Sequence, residues 1–239
     1  MKLAEQVIFE NDAFVAINKP SGMLTIPDRA GTEPSLKDLL KAQYGAIFTV
    51  HRLDRETSGV VVFAKAESAH KELSKAFEGR QVEKFYQGLV LGVPAPPTGT
   101  VEMGIMEHPV KRGLMTTAKK GKTSITDYTT LETFRFFSWM QFQIHTGRTH
   151  QIRVHMKHLG HPIVCDALYG DDKPVLLSGI KKKAYNLSKT EEAERPILSR
   201  LALHSWKLNF ALQNETYNLE APLPKDLKAL LQQLRKNTV

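Results

Sequence analysis

Cysteine is almost absent: Cys165 is the only one among 239 residues. One thiol forms no internal disulfide, so a reducing compartment fits better than secretion. With no second cysteine and no acid–base group beside it, Cys165 reads as a small core residue rather than a nucleophile. Long hydrophobic runs are missing too. No stretch approaches the ~20 apolar residues that span a bilayer, and the N-terminal MKLAEQVIFENDAF carries acids where a secretory leader needs an apolar centre. A soluble, cytoplasmic protein with no membrane contact is expected. Acidic residues are also in deficit, 25 against 33 Lys and Arg, for a formal charge of +8. Such a balance serves either a solvated basic surface or a polyanionic partner: RNA, DNA or an anionic membrane surface.

What is present suits a packed domain. The 41% hydrophobic content supplies a core for one large domain or two small ones, and there is no internal repeat or low-complexity tract. Val7 to Phe9 and Phe14 to Ile17 read as short strands, followed by a turn-rich Asn18-Lys19-Pro20-Ser21-Gly22 that Pro20 bars from a central strand. Ser35 is placed to cap a helix through Tyr44. Val60 to Ala64 form a continuous apolar strand of the buried kind. Ala66 to Glu78 have helical spacing and end at Gly79. Further strands are expected at Phe85 to Val93, Ser124 to Leu131, Trp139 to Ile144, Leu201 to Phe210 and Tyr217 to Leu219, and helices at Arg148 to Leu159 and Lys225 to Arg235. Residues 107–122 read as an exposed basic loop or hairpin, and 171–195 as a mobile, Lys- and Glu-rich insertion. Strands in hairpin succession with few helices predict an α+β fold around a mixed, mostly antiparallel sheet.

Three segments carry chemistry. In HRLDRETSG (51–59), Arg52, Asp54, Arg55 and Glu56 place four charges between apolar strands. They must reach water or meet partners. On an ordinary surface turn nothing follows; in a cleft, Asp54 becomes a carboxylate kept ionised by cations, able to act as nucleophile or base. In HTGRTHQIRVHMKHLGH (145–161), Ile152, Met156 and Leu159 form an apolar stripe. Arg153 lies about 100° round the helix, at the edge of the core, where its fork could grip a carboxylate with two hydrogen bonds. Five histidines (His145, His150, His155, His158 and His161) invite a metal reading. Their spacing lacks the two-histidine helical motif with its glutamate, and Arg153 and Lys157 would repel a divalent cation. Hydrogen bonds within the fold, or contacts to phosphates, are the expected use. The third segment is Lys84-Phe85-Tyr86, whose tyrosine by itself would be half-buried with its hydroxyl at a polar rim.

Taken in order, these segments resemble the RluA-type pseudouridine synthase family. HRLDRETSG resembles the signature around that family's catalytic aspartate, here Asp54; NKPSGMLT (18–25) resembles its first motif and GRQVEKFYQGLVLG (79–92) its tyrosine motif. TGRTHQIRVHMKHLGHPI with the following Asp-Ala-Leu-Tyr-Gly (146–170), and LALHSWKLNF (201–210), resemble the remaining two. The likeness runs from about residue 9 to residue 224. It implies a sheet split by a catalytic cleft with flanking helices, one catalytic domain over 1–239, and no cofactor, metal, nucleotide triphosphate or obligate protein partner. No external energy is needed, because uridine and pseudouridine contain the same atoms with a C–N glycosidic bond exchanged for C–C.

The resemblance also assigns roles. Asp54 would attack the ribose or uracil, or remove a ribose proton. Arg153 would pair with Asp54 and keep it anionic. Tyr86 would lie against the uracil and could take the C5 proton, and Arg52 would help hold the flipped-out nucleotide. Lys111, Arg112, Lys119, Lys120 and Lys122 would bind phosphates of a structured rRNA or tRNA. Three departures stand out: Cys165 occupies a place where glycine is common, His145 sits just before the Thr-Gly-Arg motif, and the small N-terminal RNA-binding domain of many relatives is expected to be absent. The rival readings are a histidine-metal RNA hydrolase and a non-catalytic RNA-binding relative.

Overall fold

A computed structural model describes residues 3–28, 31, 33–181 and 193–237. Apolar alternation builds one ten-stranded sheet. Its strands are β1 (Val7–Glu10), β2 (Phe14–Lys19), β3 (Phe48–Thr49), β4 (Ser58–Ala64), β5 (Glu83–Leu91), β6 (Thr98–Glu102), β9 (Ile125–Thr133), β10 (Phe137–Ile144), β11 (Leu203–Leu212) and β12 (Glu215–Glu220), and a separate hairpin pairs β7 (Ile105–Glu107) with β8 (Met115–Thr117). The sheet runs β1-β2-β4-β11-β5-β10-β9-β6, with β3 added to β4 and β12 to β11. Every pairing is antiparallel except β4 with β11. This mostly antiparallel α+β architecture is the one the sequence predicts.

Side chains alternate across the central strands. On β4, Val61 and Phe63 join one apolar cluster while Val60, Val62 and Ala64 join the other, which is why that strand is apolar throughout. Leu36 and Leu40 of α1 (Leu36–Tyr44), Ile152 and Met156 of α3 (Gln151–His158), and four leucines of α5 (Lys225–Asn237) cover the first face. Ala69, Leu73 and Ala76 of α2 (Glu67–Glu78) cover the second. Ser35 caps α1 as expected, in a reciprocal capping box with Asp38.

The one parallel junction among the described residues is short. Strands β4 and β11 meet only at Ser58–His204 and Gly59–Ser205. Gly59 has φ +119°, and a Cβ there would lie 2.1 Å from the Ser205 carbonyl oxygen, so only glycine lets the strands approach. Ser58 Oγ and His204 Nδ1, 2.9 Å apart, tie the same point from the side.

The basic segment 107–122 is built on the β7–β8 hairpin, with Lys111, Arg112, Lys119, Lys120 and Lys122 at its surface. Of the 171–195 stretch, Val175 is buried and bridges Leu198, and Leu177–Ile180 form a short helix, α4. Residues 182–192 lie outside the described residues. No helix among the described residues is long and apolar enough to cross a membrane.

Candidate active site

Asp54 sits in the loop between β3 and β4, and that loop is held from one side by residues 18–25. Lys19, fully buried, donates from Nζ to the carbonyls of Pro20 (3.0 Å), Met23 (2.8 Å) and Arg55 (2.9 Å). Burial pushes this ammonium down to about 7, with Glu56 and Asp54 pulling the other way. Three carbonyls matched to three N–H bonds also favour the charged form. Ser21 Oγ donates to the Glu56 carbonyl, Gly22 N–H to the Arg55 carbonyl, and Thr25 Oγ1 to the Leu53 carbonyl. The sequence predicts a turn over residues 18–22, yet β2 continues through Lys19 because the lysine is needed inside as a clamp. The first motif is therefore scaffolding for the aspartate loop.

Asp54 lines a cavity of about 540 Å³, a size suited to a small ligand or one extruded nucleotide. Tyr86 of β5 and Arg153 of α3 line the same cavity, with Arg52, Arg80, Lys84 and Arg148 adding positive charge. Arg52 is exposed and Asp54 retains a quarter of its side-chain surface. Tyr86 is nearly buried; burial and the negative charge of Asp54 push its phenol up, while Ser205 pulls it down, so it stays protonated at neutral pH.

The Arg153 fork grips a carboxylate with two hydrogen bonds, but the carboxylate is Asp166. Nε and Nη2 donate to Oδ2 and Oδ1 at 2.8 and 2.7 Å, and Asp166 is fully buried. Asp166 Oδ1 also accepts the N–H groups of Leu168 and Tyr169. Arg153 reaches Asp54 with its remaining nitrogen, Nη1, 3.9 Å from Oδ2. The expected Arg153–Asp54 pair is thus a longer contact on top of a tight buried pair. Asp166 lies in the Asp-Ala-Leu-Tyr-Gly run, but its partner is set by tertiary packing. Cys165, just before it, has φ +56°, a backbone state natural for glycine and tolerated here at a cost of roughly 1 kcal/mol.

His150, unassigned by sequence reasoning, also faces Asp54, with Nε2 3.9 Å from Oδ2. The helix begins at Gln151 rather than Arg148, because the buried Gln151 side chain takes Thr146 Oγ1–H and the Arg148 N–H on Oε1. The other four histidines bond within the fold: His145 to Asp127, His155 to Thr126 and the Met103 carbonyl, His158 to Thr117, and His161 to the Leu91 carbonyl. Of the expected RNA-binding residues, Arg52 belongs to the main cavity. Lys111 lines a second cavity of about 300 Å³ between the hairpin and α3, while Arg112, Lys119, Lys120 and Lys122 line neither cavity.

The family model for RNA pseudouridylate synthase matches residues 13–158. An uncharacterized RNA pseudouridine synthase of Chlorobaculum parvum is 35% identical over 96% of this chain and 74% of its own length. The ribosomal large subunit pseudouridine synthase D of Nitrosomonas europaea is 34% identical over 96% of this chain and 65% of its own. The solved structure of human RNA Pseudouridylate Synthase Domain Containing 4 superposes with a TM-score of 0.74 at 26% identity, covering 98% of this chain and 94% of that one. A shared fold, and relatives matched across nearly the whole chain, lead to one assignment: this chain belongs to the RNA pseudouridine synthases of the RluA type.

Proposed function

We propose that the chain acts as one catalytic unit that isomerises a specific uridine of a structured ribosomal or transfer RNA, with Asp54 as the reacting carboxylate. The observation that carries this reading is the company Asp54 keeps: a nucleotide-sized cationic cavity that also holds Arg153, His150 and Tyr86. Relatives named for the large ribosomal subunit support an rRNA target. A cytoplasmic setting fits such a substrate and a lone buried cysteine.

In this reading the target uridine leaves its stack, at a cost of a few kcal/mol. Arg52, at the exposed rim, holds the opened RNA. The oxygen of Asp54 faces the nucleoside as the N1–C1′ bond breaks, inside a cavity whose walls carry Arg52, Arg80, Lys84, Arg148 and Arg153. Tyr86 lies against the uracil: once C5 has bonded to C1′, the C5 proton passes to the Tyr86 oxygen as the phenol hydrogen passes to solvent, and solvent returns one proton to N1. Lys111, Arg112, Lys119, Lys120 and Lys122 contact phosphates alongside. Replacing Lys111, Arg112 and Lys120 with alanine should weaken RNA binding and flatten the plot of log K against log salt, by about 0.7–0.9 for each phosphate no longer neutralised. An unaltered slope would remove the hairpin from the interface.

The decisive test is site-by-site mapping of pseudouridine in rRNA and tRNA from cells lacking the protein. One site should revert to uridine, and the purified protein should restore it in EDTA, leaving RNA uncut and of unchanged mass. Cleaved RNA, or a map without change, would overturn the reading.

A further inference from the structure

Tyr169 stands between the basic hairpin and the cleft, and nearly every part of it is tied to one or the other. Its hydroxyl accepts the N–H of Met115 on β8 at 2.9 Å and lies 2.7 Å from His150 Nδ1. Its ring lies under the Arg153 guanidinium, 5.0 Å from centroid to Cζ, and packs with Ile105 and Val154. Its own N–H is bound to Asp166, the carboxylate that grips Arg153.

The donor count fixes a proton. A phenol hydroxyl has one hydrogen to give. The Met115 N–H can only donate, so the tyrosine oxygen accepts there. That oxygen has room to accept again, but among the described residues His150 Nδ1 is the one acceptor within reach of the phenol hydrogen, so the hydrogen goes to Nδ1. A neutral imidazole that accepts at Nδ1 carries its hydrogen on Nε2, and Nε2 is the atom that faces Oδ2 of Asp54. Burial, the largest influence on this ring, keeps it neutral against the pull of Asp54. The backbone is bent to the same end. His150 is the N-cap of α3 at φ +56°, ψ +23°, and its side chain makes no capping bond. A left-handed non-glycine residue of this kind is held by its surroundings at a cost of about 1 kcal/mol or more.

We propose that Tyr169 is a positioning residue: held by the hairpin through Met115, it locks His150 as the Nε2–H tautomer and aims a second donor, beside Arg153, at Oδ2 of Asp54. This rests on the reading of Asp54 as the reacting carboxylate. Both donors then converge on one oxygen, leaving Oδ1 for the chemistry. The hairpin that meets RNA is thereby joined to the carboxylate through two side chains.

The test begins with the resting protein. Long-range proton–nitrogen spectra of histidine-labelled protein should show His150 protonated on Nε2 in the wild type and as a tautomer mixture in Tyr169→Phe. Nδ1–H in the wild type would overturn the proposal. In single-turnover assays at saturating enzyme, Tyr169→Phe, which keeps the ring under Arg153, should react about 10- to 100-fold more slowly, the size of effect met when an orienting partner is lost. His150→Gln offers an amide N–H near the Nε2 position and needs no tautomer to be chosen. It sets its own reference rate, and adding Tyr169→Phe in that background should cost little more. Equal losses in both backgrounds, or a wild-type rate for Tyr169→Phe, would contradict the relay. Asp54→Asn separates the two ideas: activity there would sink the carboxylate reading, whatever the histidine spectra show.

Discussion

Asp54→Asn is expected to give a folded protein that makes no measurable pseudouridine, a loss of at least about 10,000-fold. The substitution keeps shape and removes the negative charge, and with it the capacity to act as nucleophile or base. Stability should barely change, because the Asp54 side chain is a quarter exposed and the nitrogens that face it, Arg153 Nη1 and His150 Nε2, are 3.9 Å away. Replacing a functional charge that the fold does not tightly pair is commonly neutral for stability. Thermal unfolding and nucleoside analysis of treated RNA check both halves of this expectation.

Arg153→Met should do the reverse first, damaging the fold as well as the rate. Asp166 is fully buried and relies on the Arg153 fork. Removing one member of such a pair leaves an uncompensated buried charge, which costs about 3–5 kcal/mol. For a chain of this size that lowers Tm by roughly 6–20 °C. Adding Asp166→Asn removes the stranded charge, while its remaining oxygen still accepts the Leu168 and Tyr169 amides, so most of the drop in Tm should be reversed. Turnover should stay low, since the Nη1 donor facing Asp54 is still missing. Recovery of turnover together with Tm would mean that Arg153 acts through the fold alone. The resemblance gives Arg153 a purely catalytic partner; its bidentate pairing with Asp166 adds the structural half.

Much of the architecture is written in local patterns. The apolar run over residues 60–64 is the body of β4, buried on both faces, and the spacing of Ala69, Leu73 and Ala76 with Gly79 behind it delivers α2 almost to the residue. The short polar loop between apolar strands marks Asp54 as a residue with unusual surroundings. Long-range choices are not local and were not legible. Strand β11 enters between β4 and β5, far along the chain, and its parallel register with β4 depends on Gly59 meeting Ser205. Helical geometry announces that Arg153 can grip a carboxylate, but which one depends on the turn after α3. His150 is hidden among five histidines because its distinction is a backbone angle and a tyrosine nineteen residues on. Lys19 looks like part of a surface turn, since a buried ammonium is unreadable without the three carbonyls that receive it.

The most direct measurement is a crystal structure of the Asp54→Asn protein bound to an RNA that contains its target uridine. The account predicts that nucleoside out of its stack, inside the cavity between residues 54, 86 and 153, with its glycosidic bond against residue 54 and the hairpin on neighbouring phosphates. A uridine still stacked in the RNA, or seated elsewhere on the protein with residue 54 facing solvent, would contradict it.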